Sequence, residues 1–353
     1  MHQLKEVICS VNNEIKLKMK TILLCLVIGM VVEPIVGQEN LPIIDMHLHA
    51  HAVDRQGPPP VAICTPIYPM PVWDPAQPYS KVFMDMLKKP PCEDPVWSPE
   101  TDEELMNQTI EVLEELNIYG VIGGYKEMVR SWRDASPDHF YPGIEISGRP
   151  SDPSPDSLRA MHQRGDLKVL GEVTTQYAGI HPDDKKLEPY FDLAEELDIP
   201  VGIHVGPGPP GVIYLGASKY RAKMHSPLSL EEVLVSHPKL RLYIMHGGYP
   251  MLDDLLAVLY AHPQVHLDVG VIVFTQPREV FYKWLKAIVD AGFGNRIMFG
   301  SDQMVWPGVI ARSISVIQEA PFLTGAQKRD ILYNNAARFL RLSEEEIERH
   351  HKP

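Results

Sequence analysis

Two histidines at two-residue spacing end the first aliphatic run of the sequence. Residues 43–46 lead directly into His47 and His49. Because alternate side chains of a strand point to the same face, a strand here would direct both imidazoles toward one ion. The run opens into a long proline-rich loop, and strand ends that lead into loops are where α/β enzymes place their chemistry. The spacing therefore predicts a pair of metal ligands at the end of a buried strand.

Other side chains that bind metals follow later aliphatic runs, and each precedes a turn. They are Glu172, His204, His246 and Asp302. In a barrel of parallel strands, the carboxyl ends of all strands meet at one rim. We therefore expect these residues to share a site for one or two divalent ions with the first two histidines. Imidazole and carboxylate ligands suit zinc, manganese, iron or nickel, and zinc is the first expectation.

The chain alternates short aliphatic runs with amphipathic stretches, which is typical of a parallel sheet covered by helices. The candidate strands are residues 43–50, 118–123, 140–146, 169–175, 200–205, 240–246, 265–270 and 296–301. The candidate helices are residues 102–116, 183–197, 229–235, 251–261, 278–291 and 325–342. Eight strands of this kind predict an α/β fold, a closed (β/α)8 TIM barrel. An open doubly wound sheet is the alternative, but no glycine-rich dinucleotide motif opens the first helix.

Residues 54–99 interrupt this alternation with twelve prolines. Repeated proline excludes a regular helix or a central strand, so we predict an irregular insertion after the first strand. Its aromatic residues give it surface with which to dock, and we expect a lid over the barrel mouth. A structural belt packed on the side of the barrel is the alternative. Cys64 and Cys92 both lie in this insertion, either joined as a disulfide or as separate thiols.

Residues 1–37 have the order of a secretory signal peptide. Lys16, Lys18 and Lys20 precede the apolar run 22–32, and the small residue Gly37 follows it. We therefore expect an exported protein, periplasmic or secreted, whose residues 38–353 form a single domain without stable membrane insertion. An uncleaved anchor is the weaker alternative, because the apolar run is shorter than a membrane span.

The expected mature chain is acidic, which restricts its partners. Residues 38–353 contain 29 basic and 43 acidic residues, a net charge of −14. This charge argues against nucleic acid as a partner and leaves a small-molecule substrate.

Four motifs along residues 41–342 resemble those of the amidohydrolase superfamily, in the branch that includes aminocarboxymuconate-semialdehyde decarboxylase. Residues 45–49 (DMHLH) are similar to its first-strand motif, and residues 246–248 (HGG) to its sixth-strand motif. Residues 299–302 (FGSD) resemble the last-strand motif, and residues 334–338 (NNAAR) the closing helix. The resemblance implies a metal-dependent barrel enzyme, with a homodimer as its expected assembly.

The resemblance also implies how the ligands divide between two ions. His47, His49, His204 and Asp302 would bind the first metal, and His246 would bind a second metal or act as an acid or base beside it. Glu172 departs from many single-metal members of the branch and instead resembles the glutamate of TatD-type hydrolases, which can lie between two ions. Two metals are therefore expected. The alternative is one metal, with Glu172 as a hydrogen-bond acceptor.

These ligand types predict a metal-dependent hydrolase that cleaves an amide, ester, lactone or phosphoester with activated water. Asp302 would accept the proton of that water and pass it to the leaving group, and His246, if not a ligand, would stabilise the oxyanion. A metal-dependent decarboxylase of an unsaturated or aromatic carboxylic acid is the alternative. A third hypothesis is an exported binding protein without chemistry.

Loops after the strands offer candidate contacts to the substrate. Tyr220 and Arg221 lie in the long loop after the fifth candidate strand, and Trp306 closely follows the last one. His51 shares the spacing of the first two histidines, but its position past the strand favours a solvated loop residue over a substrate contact.

Overall fold

The computed structural model describes residues 40–352, and within them eight parallel strands form a nearly closed barrel. The strands in chain order are β1 (Ile43–Ala50), β2 (Ala62–Ile63), β3 (Val96–Trp97), β4 (Ile118–Gly124), β5 (Phe140–Ile146), β6 (Val169–Val173), β7 (Val201–His204), β8 (Leu242–Met245), β9 (His266–Asp268) and β10 (Ile297–Met298). All of them except β2 and β3 belong to the barrel sheet and pair in chain order. Met46 donates its backbone N–H to the Phe299 carbonyl at 2.9 Å, which joins the last strand to the first. The predicted TIM barrel is confirmed.

Helices follow most of the strands and cover the outside of the barrel. The α-helices span Tyr79–Lys88, Asp102–Glu115, Lys126–Ala135, Pro155–Gln163, Glu188–Glu196, Glu231–Ser236, Leu252–Ala261, Ile272–Thr275, Arg278–Asp290, Gly308–Gln318, Gly325–Arg329, Asn335–Leu340 and Glu344–His350, with a π-helical turn at Asp330–Asn334. The last strand is shorter than the predicted 296–301, because Phe299 donates its N–H to the Ile331 carbonyl instead of to a neighbouring strand.

A register shift in β1 turns both halves of the strand toward the barrel interior. Ile44 and Met46 pack with apolar side chains inside the lower barrel. The pairing with β4 shifts between Asp45 and Leu48, so His47 and His49 also face inward. A bulge of this kind changes which side chains face a surface. The apolar floor and the ligand pair above it are therefore built by one strand.

The insertion contains regular structure that the sequence analysis excluded. The helix Tyr79–Lys88 begins directly after Pro78 and occupies the stretch before Pro90, where no proline interrupts it. Strands β2 and β3 pair antiparallel within the same insertion. The prediction of a wholly irregular segment was wrong, because proline blocks a helix only where it falls inside one and is tolerated at its start.

Cys64 and Cys92 form a disulfide, with their Cα atoms 5.9 Å apart. The paired alternative is therefore confirmed, and the bridge closes the insertion on itself. The predicted leader, residues 1–37, lies outside the described residues. Among residues 40–352, no helix combines the length and the apolar composition that crossing a membrane requires.

The C-terminal helix places a buried histidine against the end of the barrel where the strands begin, opposite their carboxyl ends. The His350 ring stacks on Tyr119 with centroids 3.5 Å apart. Its Nδ1 lies 3.0 Å from the Tyr333 hydroxyl, and its Nε2 lies 3.1 Å from the Tyr141 hydroxyl. Burial, followed by the charge of Arg349, lowers the pKa of His350 to about 4. The folded protein therefore favours the neutral form of the His350 imidazole.

We expect the protein to lose stability as the pH falls from about 6.5 to about 4, and His350→Gln to weaken that loss. In this window His350 takes up a proton in the unfolded chain, whose reference pKa is about 6.5, but not in the folded one. Protons therefore favour unfolding, and stability rises with pH. Urea unfolding at pH 7 and pH 5 measures the difference for both proteins. An identical pH dependence in the variant would contradict this role.

Candidate metal centre

The first two histidines and Asp302 bring their ligand atoms together at the carboxyl end of β1. His47 Nε2 and His49 Nε2 lie 3.2 Å apart. Asp302 Oδ1 lies 3.0 Å from His49 Nε2 and 3.8 Å from His47 Nε2. Ligands of one tetrahedral ion at ordinary zinc distances are about 3.4 Å apart, so this spacing fits a shared cation.

A second group of ligand atoms forms at the ends of β6, β7 and β8. Glu172 Oε1 lies 2.6 Å from His204 Nδ1 and 3.4 Å from His246 Nε2. The two imidazoles approach each other as well, with His246 Nε2 2.9 Å from His204 Nδ1. All three residues are buried, which keeps solvent from competing for these atoms.

Glu172 lies between the two groups. Its Oε1 is 3.8 Å from His47 Nε2, and its Oε2 is 3.7 Å from His49 Nε2. Glu172 therefore belongs to two triads, one with the β1 histidines and one with His204 and His246. Within each triad, the ligand atoms lie within 4.8 Å of one another. The pairing of β6 with β7 shifts register around Glu172, between Leu170 and Val173.

Backbone turns after β8 and β10 carry His246 and Asp302. Both residues have left-handed φ angles, 62° and 55°, which non-glycine residues rarely adopt. Asp302 donates its backbone N–H to the His47 carbonyl at 2.8 Å, and this bond sets the carboxylate beside the β1 histidines. Backbone conformations of this type are concentrated at functional sites.

Asp268 orients two of the histidines and was missed by the sequence analysis. Its Oδ2 lies 3.1 Å from His47 Nδ1, and its Oδ1 accepts the backbone N–H groups of His246 and Gly270 at 2.9 Å. When His47 donates from Nδ1 to this carboxylate, its Nε2 lone pair points to the site, as in other metal-binding histidines. Asp268 ends an aliphatic strand, so the strand-end signal used for the other carboxylates could have found it.

We expect Asp268→Asn to lower metal affinity about 10- to 100-fold while the protein stays folded. The substitution keeps the shape of the side chain but removes the charge that holds the His47 ring. Titration of the metal-free protein with Zn²⁺ against a competing chelator measures the change. Asp254→Asn is the matched control. The Asp254 carboxylate accepts a hydrogen bond from the Ser226 hydroxyl and lies outside the site. Equal affinities in the two variants would contradict the orienting role.

The electrostatics of the site favour a bound cation. Burial alone would lower the pKa of His47, but Asp302 and Asp268 raise it to about 10. Burial would raise the pKa of Asp302, yet the β1 histidines lower it to about 2. The Asp302 carboxylate is therefore ionised at neutral pH and attracts positive charge.

Unpaired buried atoms also fit a metal. Asp302 Oδ1 and His204 Nε2 are buried without a hydrogen-bond partner. Buried polar atoms are rarely left unpaired, and coordination by a divalent ion would satisfy the carboxylate oxygen. His246 has Nδ1 3.0 Å from the Gly270 carbonyl, so donation there leaves Nε2 as the ligand atom. The residues present therefore suit one or two divalent ions.

A cavity of about 1150 Å³ opens over these ligands. His51 and Trp306, two of the predicted substrate contacts, line it. His51 is buried and stacks on His49, so its expected place in a solvated loop was wrong. Although β1 ends at Ala50 as predicted, the His51 ring packs on His49 in the cavity wall instead of turning to solvent.

Tyr220 and Arg221 do not line the cavity, so the structure does not bring these two predicted substrate contacts together with the others. The Tyr220 hydroxyl lies 2.5 Å from His225 Nε2 and accepts the Gly208 N–H at 3.0 Å, so it fixes the loop that carries it. Arg221 donates to the carbonyls of Ser218 and Tyr220. Both side chains support the loop after β7 instead of reaching the ligands.

Tyr177 and Glu145 line the cavity without having been singled out from the sequence. The Tyr177 ring lies 4.8 Å from the His204 ring, and Glu145 Oε2 lies 3.8 Å from His51 Nε2. Glu145 occupies a strand end like the other carboxylates, whereas Tyr177 sits in a 3₁₀ turn that no pattern distinguished.

A comparison with known families identifies the family to which the barrel belongs. The family model described as Amidohydrolase matches residues 44–342. The chain belongs to the amidohydrolase family. The predicted membership in the amidohydrolase-related branch is confirmed, and with it the interpretation of the buried histidines and carboxylates as groups that can bind metal. A search of curated proteins finds no match to this amidohydrolase.

Solved structures share the barrel of this amidohydrolase at low sequence identity. A 5-carboxyvanillate decarboxylase from Novosphingobium aromaticivorans, complexed with manganese, is 13% identical, with a TM-score of 0.55 over 87% of this chain and 97% of its own. A probable 2-pyrone-4,6-dicarboxylic acid hydrolase from Acinetobacter baumannii is 13% identical, with a TM-score of 0.52 over 86% and 100%. An uncharacterised TIM-barrel protein from Bordetella bronchiseptica is 18% identical, with a TM-score of 0.52 over 85% and 99%. These similarities establish a shared fold, and the fold hosts both decarboxylases and hydrolases.

Proposed function

We propose that this amidohydrolase is a hydrolase with two divalent ions that cleaves an amide, ester or lactone bond of a small molecule. The observation that carries the proposal is the position of Glu172, whose oxygens lie within 3.8 Å of both β1 histidines and within 3.4 Å of His204 and His246. A carboxylate between two groups of ligands suits a pair of ions, which hydrolysis uses to hold both water and substrate. Decarboxylation needs no such bridge.

The residues of the chain then divide the work. Bound divalent ions supply a lowered pKa for water and a polarised substrate carbonyl. Asp302 is ionised and buried beside the β1 histidines, so the carboxylate oxygen that is not bound to an ion would accept the proton of the attacking water and return it to the leaving group. His47, His49 and Asp302 would hold one ion. His204 lies with His246 and Glu172, so these three would hold the other, instead of His204 joining the first set as the family resemblance implied.

The test is to load the protein with Zn²⁺ or Mn²⁺ and assay both reaction classes. Esters, lactones and amides report hydrolysis, and aromatic or unsaturated carboxylic acids report decarboxylation through released CO₂. Hydrolysis with about two ions per chain is expected. Release of CO₂ by a protein with one ion per chain, without hydrolysis of any compound, would replace the proposal with the decarboxylase alternative.

We also propose that the protein works outside the cytoplasm. The leader-like order of residues 1–37 supports export, and the Cys64–Cys92 disulfide is of a kind that forms in oxidising compartments. Fractionation of the producing cells, followed by mass determination of the mature N-terminus, tests this proposal.

A further inference from the structure

From residue 62 onward, the insertion supplies an uncharged wall to the cavity above the metal ligands, and its one charged residue on the cavity, Arg55, lies before this stretch. Between residues 62 and 91, the residues that line the cavity are without charge: Ala62, Ile63, Cys64, Ile67, Tyr68, Pro69, Met70, Phe83, Met86, Leu87 and Pro91. Cys64 contributes no free thiol, because it is in the disulfide. The wall is formed by eleven residues, drawn from thirty positions of the chain.

The helix of the insertion turns one face to the cavity. Phe83, Met86 and Leu87 line it, and they are spaced at three and four residues, so they lie on the same side of the helix. Met84 is on another side, where its Sδ would lie 2.9 Å from a side chain at Gly57. The apolar face of this helix is therefore directed at the cavity.

The loops after β4 and β5 give the same cavity a different character. They contribute Lys126, Glu127, Arg149 and Asp152, all of them ionisable. A cavity with an uncharged wall, a charged wall and buried metal ligands is matched to a compound with distinct apolar and polar parts. Its volume of about 1150 Å³ lies above the range of about 300–1000 Å³ common for small-molecule sites.

We infer that the substrate is an acyl compound, an ester or amide whose apolar chain lies along the insertion while its carbonyl group meets the metal ligands. This inference rests on the proposed hydrolase function and names its substrate class. Tyr68 and Met70 line the cavity and remain 70% and 48% exposed, so apolar surface continues from the ligands to the solvent. A chain that covers this surface gains the hydrophobic contribution of each methylene.

A series of p-nitrophenyl esters from acetate to octanoate tests the inference on the metal-loaded protein. We expect kcat/KM to rise about fourfold for each added methylene, which corresponds to the transfer of a methylene from water. A flat series with measurable hydrolysis would overturn the inference and leave the hydrolase proposal intact. Failure to hydrolyse any ester, any N-acyl amide of the same chain lengths and any lactone would overturn the hydrolase proposal.

Binding and variants separate the two proposals further. Octanoate is expected to bind at least about tenfold more tightly than acetate by calorimetric titration, whether or not turnover occurs. Met86→Gln should reduce the ratio of octanoate to acetate ester hydrolysis about tenfold. Met84→Gln makes the same substitution on the same helix outside the cavity, so the ratio should remain that of the wild type. Equal ratios in the two variants, or equal binding of octanoate and acetate, would overturn the inference.

Discussion

Replacing Asp302 with asparagine is expected to reduce kcat/KM about a thousandfold, within the range that a general acid–base group contributes. The carboxylate lies 3.0 Å from His49 Nε2 and has no hydrogen bond to its Oδ1. Asparagine keeps the shape but cannot take up a proton at neutral pH. It also tolerates the left-handed φ of 55° at this position, so the fold should persist. Steady-state kinetics and circular dichroism of the metal-loaded variant measure the two effects.

Glu127→Gln is the matched control for the lost charge, since Glu127 lines the same cavity but lies away from the ligands. We expect it to change kcat/KM less than about tenfold, because an exposed charge interacts weakly across water. Full activity of the Asp302 variant would remove this residue from the proton-transfer role.

Glu172→Gln is expected to reduce the metal content from about two ions per chain to about one. The carboxylate spans the β1 histidines and His204, and an amide is a much weaker ligand because it is neutral. Loss of the bridge leaves His204 and His246 with too few donors to hold an ion against dialysis. Elemental analysis after dialysis gives the stoichiometry, and hydrolysis should fall together with the loss.

Glu145→Gln provides the comparison, because Glu145 is another carboxyl of the same cavity that contacts His51. It should retain the wild-type stoichiometry. Two ions in the Glu172 variant would show that this carboxylate does not bridge, and would leave it as a hydrogen-bond partner of His204.

Much of the barrel and its ligand groups could be predicted because both rest on local patterns. The span of β1 agrees at both ends with the predicted 43–50, since an aliphatic run and a strand end share one signal. His47 and Asp302 follow such runs and meet because parallel strands bring their carboxyl ends to one rim. Fold class and family membership follow from the same order of motifs.

The parts that could not be predicted depend on contacts between distant segments. Tyr220 is a residue type that often contacts substrates, yet its hydroxyl is hydrogen-bonded to His225 and to the Gly208 N–H. These contacts depend on how the loop folds. The number of prolines in the insertion predicted no helix at 79–88. A helix forms there because the prolines flank this stretch and do not fall within it. The shift of register in β1 is likewise set by pairing with β4 and leaves no mark in the strand's own hydrophobicity.

The internal closure of the insertion has a consequence for how new specificities arise. Its strand pair and its disulfide join residues 62–97 to one another, and hydrogen bonds such as that from the Ile67 N–H to the Thr275 carbonyl anchor the segment to the barrel. The metal ligands are carried by the barrel strands and the turns after them. Side chains of this wall that face the cavity can therefore change while the ligands keep their supports, which makes the wall the place to randomise when a different selectivity is wanted from the same reaction centre.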